Sequence, residues 1–205
     1  MWRRISFALA LTLLLSPFSA PVAHASATLS VPSSLGLVGW WKFDEGSGIA
    51  ARDYSGRGNT GTLSGTTLPT WVSGKLGKGL SFDGSTAYVN VGNVSALGFE
   101  RTNAFSVSEW IKGACSACSL TGKMNNASPF TGWDLEISGN APAGRLSFYL
   151  INEWNTNAIQ VLTTRTVNDN QWHHIVATYD GSSSASGVKL YVDGLLQSMT
   201  TGNDS

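Results

Sequence analysis

WHHIVATYDG at residues 172–181, followed after a serine-rich gap by VKLYVDG at residues 188–194, decides the fold. Both runs are built of β-branched and aromatic residues, which suit a pleated surface, and both close on Asp-Gly, where glycine tolerates the positive φ of a tight turn. The pair reads as antiparallel sheet. Outward from it the same rhythm continues, with short apolar runs between Gly, Asn and Asp clusters and hardly any stretch at helical period. Strands are predicted at 37–43, 60–63, 79–82, 87–91, 105–112, 120–124, 133–137, 146–151, 159–162, 172–179, 188–192 and 195–199. Many short strands at that spacing imply an all-β, two-sheet antiparallel sandwich.

A chain of 205 residues that is 42% hydrophobic can bury one good core, so one domain is expected. Lys plus Arg and Asp plus Glu are each 13, the formal net charge is zero, and no basic face for neutralising phosphates is evident, which argues against nucleic acid as a partner. Charged residues make up 13% against a usual value of about 25%, leaving a surface of Ser, Thr, Asn and Gly that suits extracellular life and neutral polar ligands. Arg3 and Arg4 precede an apolar run from Ile5 to Leu15, then Pro17, Pro21 and Ala23-His24-Ala25, the order of a secretory signal. Residues 1–25 are therefore expected to be a signal peptide, with cleavage after Ala25 or nearby after Ala27, and 26–36 a linker. The apolar run is shorter than the ~20 residues that span a bilayer, and no later segment approaches that length, so a secreted or cell-surface location without a membrane span is expected. Cys115 and Cys118 are the only cysteines. In an oxidising compartment the pair reads as a local disulfide; free thiols are the alternative.

These phrases, with GWWKFDEGSG at 39–48 and FDGSTAYVNVG at 82–92, resemble the LamG-like jelly-roll family, the concanavalin A-like sandwiches of secreted proteins, over residues 37–199. The resemblance implies a jelly-roll domain over 37–205. Family members continue past the second Asp-Gly hairpin with a further strand pair, so the last strands are expected to be missing and the chain to be the front part of a longer protein. The implied function is a non-catalytic recognition module binding a glycan or an extracellular protein, within an adhesin or beside a secreted hydrolase. A laminarinase-like glycoside hydrolase and a structural spacer are the alternatives.

Three sets of side chains are candidates for chemistry. Sugar binding would use aromatic platforms and amides, for which Trp110, Tyr149, Asn152 and Trp154 are available. Calcium, which seeks clustered oxygens, would sit at Asp44, Asp53 and Asn59 near the first strand, although Asp53 in an Asx turn explains that stretch as well. For hydrolysis, the resemblance to laminarinase-like glucanases points to Gly132-Trp133-Asp134-Leu135-Glu136, where two acids share a face but glycine replaces the leading glutamate. No catalytic residue is assigned: Asp134 and Glu136 read as the solvent side of a strand whose Trp133, Leu135 and Ile137 pack inward. His173 and His174, adjacent in a strand, must face opposite ways, and His173 reads as structural. Glu109 is the anomaly, since in FSVSEWIK (105–112) it shares the inward face of Phe105, Val107 and Ile111. A bulge, a shifted strand or a His or Lys partner could each resolve it.

Overall fold

The computed structural model describes residues 36–205, residue 126 excepted; the expected signal segment and all but the last residue of the expected linker lie outside the described residues. Two facing sheets carry the core. One runs in the order β14-β10-β9-β8-β7, built of Met199–Asp204, Asn157–Thr166, Arg145–Glu153, Gly132–Ser138 and Cys118–Met124. The other runs β13-β12-β11-β6, built of Leu195–Leu196, Val188–Val192, Trp172–Tyr179 and Phe105–Lys112. Two smaller sheets precede them: β1 (Ala50–Ala51), β2 (Gly61–Ser64) and β5 (Tyr88–Asn90) form one, and the hairpin of β3 (Thr70–Ser73) and β4 (Lys78–Ser81) the other. Every strand pairing is antiparallel, as the sequence predicts.

Alternation builds the interior. On β8, Trp133, Leu135 and Ile137 are buried between the sheets while Asp134 and Glu136 take the other face; on β11, His173, Ile175, Ala177 and Tyr179 are buried. Phe148, Leu146, Ile159, Val161, Leu190 and Val192 complete this core. Aromatic rings close one end, Phe99 stacking on Phe105 at 4.1 Å and Trp133 lying 5.7 Å from Phe99. The Trp133 indole N–H donates to the Leu97 carbonyl at 2.8 Å, so this tryptophan fastens the turn before β6 and is no sugar platform.

Two predicted strands are corrected. Residues 37–43 form only the isolated bridge Trp41–Asp53, because the Trp40 N–H donates to the Asp53 carboxylate and Phe43 adopts a left-handed φ of 56°, which ends the extended run. Residues 195–199 split, with β13 staying beside β12 while β14 crosses to the edge of the other sheet and pairs with β10. Cys115 and Cys118 are joined in a disulfide at the start of β7. No helix among the described residues is long and apolar enough to cross a membrane.

His173 is structural in a specific way. Its Nδ1 lies 2.8 Å from Asp193 and its Nε2 3.0 Å from Asp169, so a buried ring clamps the loop before β11 to the turn after β12. Asp193 also accepts the His174 N–H at 3.0 Å while turning the chain at a φ of 53°. Replacing His173 by alanine is expected to lower stability by about 2 kcal/mol, read as a lowered urea midpoint with unchanged slope, because a buried packing body and two hydrogen bonds are lost together.

Candidate functional site

Trp154, in the turn that follows β9, lies with its ring 5.7 Å from that of Tyr149. Both line a pocket of about 260 Å³ on the outer face of the larger sheet, with Asp134 and Glu136 from β8, Met124, Phe130 and Ile151. Cross-strand register assembles its floor: Asp134 lies beside Tyr149, and Tyr149 beside Gln160. A chain of hydrogen bonds fixes the polar groups there. Gln160 donates to the Tyr149 oxygen at 2.7 Å, Tyr149 donates to Glu136 at 2.9 Å, and Ser119 donates to Asp134 at 2.7 Å.

Burial pushes the Asp134 carboxyl up to about 7, the Ser119 hydroxyl opposing and the neighbouring Glu136 charge adding. Glu136 is also raised, first by burial, with the Tyr149 hydroxyl pulling the other way. Behind them Glu109 keeps its inward place, as the unbroken eight-pair register of β6 with β11 requires. No bulge or strand shift turns it out, and its partner is neither His nor Lys: the Thr121 hydroxyl donates to its Oε2 at 2.9 Å. Burial raises Glu109 to about 7, Thr121 opposing and the charge of Asp134 adding.

Of the four residues expected to bind sugar, only Tyr149 and Trp154 come together. Trp110 lies on the outer face of the opposite sheet, its ring tilted against that of His174 at 5.1 Å and the Lys75 ammonium 5.3 Å from it. Asn152 lines a separate small cleft with Phe99, Glu100 and Arg101. Phe130, Met124 and Ile151 escaped the sequence reading; Phe130 sits in a turn at a φ of 63°, which no periodicity reveals.

The residues expected to hold calcium, Asp44, Asp53 and Asn59, hydrogen-bond the loops around them. Asp53 accepts the N–H groups of Trp40, Ser55 and Asn59, which outweigh partial burial and hold its carboxyl below the usual range. Asp44 accepts from the Lys78 N–H at 3.0 Å, and the Asn59 amide donates to the Val38 carbonyl at 2.9 Å. Among the described residues no three His, Cys, Asp or Glu side chains converge as a metal site.

The glucanase-like stretch lacks its first acid for a steric reason. Gly132 has a φ of +132°, and a Cβ there would lie 2.0 Å from the Lys123 carbonyl oxygen. The strand pairing of β7 and β8 leaves no room for a side chain.

No curated protein matches the chain. A laminin G-like family model, described as Concanavalin A-like lectin/glucanases superfamily, matches residues 83–205, from the Asp83 turn through both sheets of the sandwich. That span is more than half of the chain and includes the whole pocket, so the chain belongs to the Concanavalin A-like lectin/glucanases superfamily.

Proposed function

We propose that the protein is a secreted, non-catalytic glycan-recognition module whose ligand occupies the pocket of Tyr149 and Trp154. Membership of the superfamily supports a carbohydrate- or protein-binding module in general. The observation that favours a sugar is the pairing of ring faces with fixed oxygen acceptors: Trp154, Tyr149 and Phe130 offer apolar surface for C–H groups, and Asp134 and Glu136, oriented by Ser119 and Tyr149, accept hydroxyls. Calcium has no part in this reading. Binding at the pocket is expected to be the same in excess chelator and in millimolar calcium, and a lost affinity on chelation would count against it.

Titration calorimetry with a panel of neutral hexose oligosaccharides tests the site. Replacing Trp154 by alanine is expected to weaken the best ligand at least tenfold, a loss of about 1.4 kcal/mol, while the same change at Trp110 leaves affinity unaltered. Equal losses at both positions, or no oligosaccharide bound, would refute the assignment. Secretion is tested by the first residue of the exported chain, expected to be Ser26.

One observation favours a second reading as a hydrolase: Asp134 and Glu136 share a face and both are raised, as a general acid must be. Release of reducing ends from β-glucans, abolished by Glu136→Gln, would establish it.

A further inference from the structure

The pocket beside Trp154 holds more negative charge than a neutral sugar can answer. Asp134 and Glu136 are two residues apart on β8, so their carboxyls share one face, and both line the pocket half-buried. The hydroxyls that hold them are uncharged donors, Ser119 on Asp134 and Tyr149 on Glu136. Because Gln160 Nε2 donates to the Tyr149 oxygen at 2.7 Å, the tyrosine proton is directed to Glu136, which is thereby fixed as an acceptor. No cation is among the groups that bear on the ionisation of either acid. Among the described residues that line the pocket none is Lys, Arg or His, and Lys123 of the neighbouring β7 donates to the Val94 carbonyl instead.

The rest of the wall is π surface. Tyr149 and Trp154, tilted by 41° at 5.7 Å, form a wedge, and Phe130 adds a third ring. Ring faces carry negative potential and attract a cation, more strongly as water is excluded. Rings and acids around one cavity are therefore jointly complementary to a positive charge. A sugar hydroxyl placed there donates a single hydrogen bond and leaves the repulsion between the carboxyls, whereas an ammonium donates three and cancels it. The room is limited as well: about 260 Å³ lies below the roughly 300–1,000 Å³ of sites for drug-sized ligands, which suits a single ring.

We infer that the pocket selects a glycan unit bearing a free amino group, its ammonium seated between the Asp134 and Glu136 carboxyls and the ring faces of Tyr149 and Trp154. This rests on the glycan reading of the pocket and narrows it to hexosamine units. The acetylated form of the same sugar, whose amide carries no charge, fits less well.

Titration calorimetry at about pH 7, where an amine of this kind is largely protonated, compares three oligomers of equal length and linkage on the whole chain: glucosamine, N-acetylglucosamine and glucose. The glucosamine oligomer is expected to bind at least tenfold more tightly than either neutral one, and its advantage to shrink as salt is raised. In the double variant Asp134→Asn, Glu136→Gln the three are expected to bind alike. Equal affinities for the parent chain, or a preference that survives the double variant, would overturn the inference and leave the glycan reading standing. Binding of none of the three would overturn both. Tighter binding of N-acetyl-lysinamide than of the glucosamine oligomer would assign the ammonium site to a protein side chain and equally overturn the inference. The comparison on the parent chain remains decisive even if the double variant folds poorly.

Discussion

Writing the missing acid back into β8, as Gly132→Glu, is expected to destabilise the sandwich by about 4 kcal/mol and to yield no hydrolase. Two costs add. A φ of +132° is open to glycine and closed to L side chains, at about 1–3 kcal/mol. The first side-chain carbon must also displace the Lys123 carbonyl, 2.0 Å away, and the Met124 Cα, 2.8 Å away, both backbone atoms of the paired strand. Overpacking against backbone costs about another 1–3 kcal/mol. Because the collision is with Cβ, Gly132→Ala is expected to show most of the same loss, a fall in melting temperature of about 10 °C for a domain of this size. Reducing-end release from β-glucans should stay at background in both variants. A Gly132→Glu protein as stable as the parent and active on β-glucan would mean that glycine was merely the absence of an acid. The pocket would then be an unfinished active site.

The contrast between β8 and the N-terminal stretch shows what the sequence made legible. β6, β11 and β12 have the bounds that the alternation predicts, because in each of them one face meets the core and the pattern records it. Residues 37–43 show the opposite case: their apolar residues look like a strand, yet the Trp40 N–H is taken by a side chain thirteen positions later, a contact no local pattern encodes. Face assignment has the same limit at the site. Alternation correctly sets Trp110 on an outward face, but it does not say which of two sheets that face belongs to, and Trp110 ends on the opposite side of the sandwich from Tyr149. Glu109 was legible as an inward carboxylate. Its Thr121 partner was not, since β6 and β7 lie in different sheets and meet only through the tertiary packing.

Stability is expected to fall as pH rises from about 5 to 8, opposite to the acid sensitivity usual for carboxylates. Glu109 and Asp134 are both held near 7 in the folded chain, above their ordinary values of 4.5 and 3.8. A folded-state value above the unfolded one means that the native protein keeps a proton where the unfolded chain has lost it. Their contribution is therefore complete below about pH 4 and is lost as pH climbs through 7. For Glu109 the shift of about 2.5 units corresponds to about 3 kcal/mol; Asp134 acts in the same direction, though not additively, because the two charges repel each other. At the acid end the order reverses. Asp83, drawn down to about 2 by the Ala87 and Ser85 N–H groups, and Asp53, where hydrogen bonds outweigh burial, stabilise the fold above pH 4 and lose that contribution on acidification. The sum is a maximum near pH 5. Glu109→Gln removes one of the two ionisations but leaves amide hydrogens without an acceptor, at a cost of about 1 kcal/mol. The variant should therefore be about as stable as the parent at pH 5, where ionisation of the unfolded chain already offsets the amide's cost, and about 2 kcal/mol above it at pH 8. Urea unfolding at the two pH values measures the difference. A parent curve flat from pH 5 to 8, or a variant no more stable at pH 8, would mean that water or a cation reaches Glu109 and that the space between β6 and β7 is not dry.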